Sequence, residues 1–148
     1  MAYQHLRDKI TVILDKECGK GASQEEVRIA EINLGVTFPK SFRQFLNEYG
    51  WARFGHQELY GLGRDVPAYL ELIRNTRAER EKMHPFLLPD LVPLMNDGAG
   101  NHYCLDTRMM KEGECPVVFW NHELGENQDP ERVSDDFVNW IIGILSRL

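Results

Sequence analysis

Nowhere does the sequence hold the run of about 18 apolar residues that an ordinary transmembrane helix requires. Its first residues, MAYQHLRDKITVILDKECGKGAS, also lack a continuous apolar stretch followed by a small-residue cleavage site, so a cytoplasmic protein is expected. Cysteine is sparse: no two of Cys18, Cys104 and Cys115 have the spacing of a zinc or redox motif, which leaves buried reduced thiols as the expectation. Clustered Lys and Arg are missing too, and the formal charge is −6. That balance disfavours a DNA- or RNA-binding surface, where phosphate neutralisation needs grouped cations, but it permits a basic protein partner. A phosphate-cradling glycine loop, a nucleophile motif and a histidine pair at ligand spacing are all absent, and His5, His56 and His84 stand in unrelated contexts. No catalytic, metal or cofactor site is therefore expected.

What is present reads as one soluble domain over residues 1–148, since 43% hydrophobic and 27% charged residues match globular averages and no low-complexity linker divides the chain. Leu6, Ile10, Ile13 and Leu14 recur at helical spacing and predict a helix over 3–17. Ser23 and Glu26 form a capping box for a second helix that stops at Gly35. Pro39 opens a third, whose stripe of Phe42, Phe45, Leu46 and Tyr49 ends at Gly50. A short strand is expected around 58–62, then a helix through Tyr69, Leu72 and Ile73 whose far end is solvated. From Pro85 the runs LVPLMND, HYCLD and CPVVFWNH suggest an antiparallel meander. Ser134 is expected to cap a last helix that turns Phe137, Trp140, Ile141 and Ile144 inward. Helices, then grouped strands, then a helix make an α+β fold: an antiparallel sheet flanked by N-terminal helices and a C-terminal helix.

The stretch NDGAGNHYCLDT, residues 96–107, concentrates chemistry-bearing side chains. In a strand His102, Cys104 and Asp106 share one face, but the outer two lie about 13 Å apart at roughly 3.3 Å per residue, too far for one ion. A turn shaped by Asp97, Gly98, Gly100 and Asn101, feeding a strand anchored by Tyr103 and Leu105, uses every residue; Asp106 then caps the strand end. His122 and Glu123, at the end of PVVFW, could exchange protons or simply close a strand. Trp51, Phe54 and Tyr60 sit in a glycine-broken segment, either as contact anchors or as buried loop anchors. The densest charge lies in 123–136, where Glu123, Glu126, Asp129, Glu131, Asp135 and Asp136 face one Arg132. This is a local negative field, or the solvated start of a helix.

Four blocks resemble the SUKH superfamily of fungal cell-wall-assembly regulators and bacterial immunity proteins. They are LGVTFPKSFRQFLNEYG, through Gly35, Pro39, Phe42, Phe45, Leu46 and Gly50; DGAGNHYCLDT, through Gly100, Tyr103, Cys104, Leu105 and Asp106; CPVVFWNHE, through Pro116, Val117, Val118, Trp120, His122 and Glu123; and VSDDFVNWI, with Ser134 and Phe137. Phe38 replaces a leucine usual in the family, and Asn101 replaces an aspartate. The resemblance implies an α+β fold without catalysis and an intracellular immunity protein that binds a cognate toxin domain, often a nuclease, and blocks it. Glu123, Glu126, Asp129 and Glu131, with an aromatic anchor such as Trp51 or Tyr60, are the expected contacts for a basic toxin; nucleic acid and membrane are not expected partners. Two alternatives are a small hydrolase using Asp106, His122 and Glu123, and a regulatory adaptor for a self protein.

Overall fold

The computed structural model describes residues 2–148. Helix α1, Ala2–Val12, buries Leu6 and Ile10. It ends earlier than its apolar spacing predicts: Leu14 is 98% exposed, and Lys16–Cys18 leaves as strand β1 to pair with Ala52–Phe54, β2. Strand hydrogen bonds to a distant segment outweigh the local helical preference of Asp15–Cys18, and Lys16 Nζ closes the helix by donating to Ile13 O at 2.7 Å. Helix α2, Gln24–Leu34, has the expected box: Glu26 N donates to Ser23 Oγ and Ser23 N to Glu26 Oε1, both at 3.0 Å, and Gly35 terminates it. Helix α3, Lys40–Glu48, starts at Pro39, which has no capping side chain. Glu114 supplies the cap from far along the chain, accepting from Ser41 N at 3.0 Å and Ser41 Oγ at 2.7 Å.

The strand expected at 58–62 is instead a hairpin of β2 with Gln57–Leu59, β3, which completes a three-stranded antiparallel sheet. The expected helix through Tyr69 divides into a 3₁₀ turn, Ala68–Leu70, and α4, Leu72–Glu81, because Glu71 turns its carboxylate onto the amides of Ile73 and Arg74. Leu72 is buried, whereas Tyr69 points outward. The expected meander is a four-stranded antiparallel sheet: Leu91–Asn96 (β4), His102–Asp106 (β5), Val117–Trp120 (β6) and Glu131–Ser134 (β7). Thus Glu131 belongs to an edge strand and not to a loop. Helix α5, Phe137–Leu145, is capped by Asp136, which accepts from Asn139 N at 2.8 Å; Ser134 closes β7 instead.

The main core lies between α1, α3, α5 and the two sheets. Phe42 meets Phe38 and Phe137 edge-on at 5.2 Å each, and Phe137 meets Phe45 at 5.5 Å. A second cluster of Leu87, Leu91, Cys104, Val118 and Trp120 covers the opposite face of the larger sheet. Cys104 and Cys115 are buried free thiols; Cys18 is only half-buried, on the short strand β1. No helix among the described residues is long and apolar enough to cross a membrane.

Candidate functional site

The turn between β4 and β5 is built by its own polar side chains. Asp97 accepts from Ala99 N at 2.8 Å, Asn101 N at 3.1 Å and Asn101 Nδ2 at 2.9 Å, while Asn96 Oδ1 accepts from Gly98 N at 2.7 Å. Burial favours protonating Asp97, but those donors outweigh it and hold the carboxyl below its usual range. Gly98 and Gly100 both lie near φ +90°, which glycine tolerates. Asn101 also reaches the loop after β6: its Oδ1 accepts from His122 N at 3.1 Å and from His122 Nδ1 at 2.7 Å. The amide serves here where an aspartate could not, since it donates to the Asp97 carboxylate while accepting from His122.

Beneath this turn lies a polar cluster that sequence reasoning missed. His102 is 2% exposed; its Nε2 lies 3.1 Å from the Tyr60 hydroxyl and its Nδ1 3.6 Å from Glu79 Oε1, beyond hydrogen-bond reach. Three distant elements supply these groups, so no local pattern marks them. The order carboxylate, imidazole, phenol looks like a proton relay, but burial lowers His102 to about 4 and raises Tyr60 to about 12. Glu79 is also raised, by burial, with His122 pulling it back. At neutral pH the imidazole and the phenol are both uncharged, and the cluster works as packing with polar tips.

The proposed hydrolase constellation does not assemble. Asp106 is 4% exposed and closes the far end of β5, where it accepts from Arg108 Nε at 2.9 Å, Arg108 Nη2 at 3.0 Å and Arg108 N at 3.2 Å. His122 follows Trp120, which pairs with His102 at the other end of that strand, about 13 Å away over four residue steps. Asp106 is the strand-end cap that turn chemistry predicts. Pro116 lies beside it, where its carbonyl accepts from Asp106 N at 3.0 Å.

The acidic segment takes a defined shape. Gln128 donates to the carbonyls of Asn121 at 2.7 Å and Gly125 at 2.9 Å, and accepts from Asn121 N at 3.1 Å. Asn121 Oδ1 accepts from Glu123 N at 2.9 Å, and Glu126 Oε1 accepts from Phe86 N at 3.0 Å, tying the loop to residues 83–86. Glu123, Glu126, Asp129 and Glu131 are all exposed. Trp51 and Tyr60 are not: they are 8% and 7% exposed, and Trp51 Nε1 donates to Asp65 at 3.2 Å. Both are buried loop anchors rather than contact residues, because each aromatic body fills the core while its polar tip finds a partner.

A family model described as SUKH_5, SMI1-KNR4 cell-wall, matches residues 4–145. Among solved structures, a protein from Pseudomonas syringae pv. tomato shares the fold with a TM-score of 0.57 over 86% of each chain at 16% identity.

Proposed function

Because this chain belongs to the SUKH_5 family, described as SMI1-KNR4 cell-wall, we propose that it is an intracellular immunity protein that binds a cognate toxin domain and blocks it. A single observation carries this reading: four carboxylates, Glu123, Glu126, Asp129 and Glu131, stand exposed on a segment whose loop is held in one shape by Gln128 and Asn121. A nuclease that handles phosphates needs a basic groove, and a fixed acidic rim complements it. Opposite charge raises the association rate by about ten-fold or more and sets the docking orientation. Holding the loop before binding reduces the ordering cost on association.

Co-expression with any toxin domain found to be encoded beside this gene tests the reading directly. Protection of the cell and co-purification are the expected results. Replacing Glu123, Asp129 and Glu131 with lysine is expected to slow association at low salt while leaving the fold intact; unchanged rates move the interface elsewhere. The cell-wall description of the family favours a second reading, a regulatory adaptor for a self protein; no toxin gene beside this one, or no protection on co-expression, selects it over the first.

A further inference from the structure

Two adjoining loops expose large apolar side chains although both are firmly held. Met83 is 52% exposed, Phe86 38% and Leu124 66%. Single exposed apolar residues are ordinary, but these three stand on two loops that the Phe86 N–Glu126 Oε1 hydrogen bond, 3.0 Å, joins: Met83 three residues before Phe86, Leu124 two before Glu126. Their order comes from both sides. Leu87, directly after Phe86, is buried in the second core cluster, and its amide donates to Glu79 O at 2.9 Å. The His84 ring lies 4.4 Å from the Phe86 ring, and Glu126 accepts from the Phe86 amide. On the other loop Gln128 fixes the backbone around Leu124.

The charge around the patch is mainly negative. Residues 123–131, the segment that carries Leu124, hold the exposed Glu123, Glu126, Asp129 and Glu131 and no Lys or Arg, while residues 82–86 add one cation, Lys82. We infer that Met83, Phe86 and Leu124 form the desolvated centre of the binding surface, with Glu123 and Glu126 as its rim, and that the occupant is a protein segment presenting an apolar side chain flanked by Lys or Arg. This rests on the protein-binding reading above and deepens it. The acidic rim steers and orients, whereas an apolar anchor at the centre supplies most of the affinity.

Random peptides displayed on phage and selected on the wild-type protein provide a probe that needs no known toxin. Peptides pairing an apolar residue with Lys or Arg are expected. As synthetic peptides followed by fluorescence anisotropy, they should bind the Leu124→Ser protein at least about ten-fold more weakly, bind Glu123→Lys more weakly with a reduced salt dependence, and bind an Ile32→Ser control on α2 as the wild type does. Equal binding to wild type and Leu124→Ser, selection of acidic peptides, or no selection at all overturns the inference. Peptide binding at this patch without toxin neutralisation removes the immunity reading alone. Full neutralisation by a folded Leu124→Ser protein removes the patch alone.

Discussion

The two faces of the larger sheet are built for different work. On one, Tyr103, Leu105 and Val117 join the main core, with the Tyr103 ring 5.6 Å from Trp140 of α5 and 5.3 Å from Phe119. On the other, Cys104, Val118 and Trp120 meet Leu87 and Leu91, while His102 keeps an unpartnered Nδ1 beside Glu79. The first face is aromatic and continuous with the helices, so it holds most of the apolar area removed from water. The second is a smaller cluster with a polar margin, and the loops that carry the exposed patch grow from it. Stability and display are thus assigned to opposite sides of one sheet.

The largest effect that sharpens this comparison lies in the main core. Phe137 is fully buried and touches Phe42, Phe45 and Trp140, so Phe137→Ala is expected to cost about 3–5 kcal/mol. Val118→Ala on the second face removes less volume and should cost about half that or less. Urea unfolding measures both. A reversed order would break the assignment of stability to the first face.

Acidification probes the second face. His102 falls from its ordinary 6.5 to about 4 in the folded protein because burial disfavours the imidazolium. The unfolded chain therefore binds the proton first, and the stability contributed by neutral His102, intact above 6.5, is lost between 6.5 and 4, up to roughly 3 kcal/mol. Glu79 has the opposite sign: its raised folded value favours the fold at low pH and costs stability as pH rises through it, which offsets part of the fall. Unfolding at pH 7 and pH 5 should show a clear loss in the wild type and a flatter response in His102→Gln. Equal slopes would mean that water reaches the imidazole.

How much of this was readable in advance depended on the range of the interaction. The bounds of α2 were legible because Ser23, Glu26 and Gly35 act within a few residues, and the turn at 96–101 was legible because Asp97 bonds its own neighbours. The end of α1 was not, since β1 forms only by pairing with a segment about 36 positions on, and the cap of α3 was not, since Glu114 is 73 positions from Ser41. The acidic rim was visible as composition. Its apolar centre was hidden, because only the fold brings Phe86 against Glu126 across 40 positions. For Trp51 and Tyr60 the sequence leaves contact anchor and buried loop anchor both open, because the glycines around them signal turns and turns do not reveal whether an aromatic ring points in or out; the fold buries both.

The smallest effect isolates the link between the β4–β5 turn and the loop that displays Leu124. Gly98 and Gly100 have nearly the same φ, +92° and +91°, so replacing either with alanine carries a similar backbone penalty of about 1–2 kcal/mol. Their surroundings differ. A Cβ at Gly98 meets nothing within 4 Å, whereas one at Gly100 comes to 3.2 Å from the His122 ring. That ring must shift by a few tenths of an ångström, against its 2.7 Å hydrogen bond to Asn101. Gly100→Ala should therefore be the more destabilising of the two by less than about 1 kcal/mol. Only that variant should speed hydrogen exchange at the His122 amide, which donates to the same Asn101 oxygen. If both variants left that amide equally protected, Asn101 would be shaping its own turn alone, and the second face would owe its ordered loop to Gln128 and the Phe86–Glu126 contact.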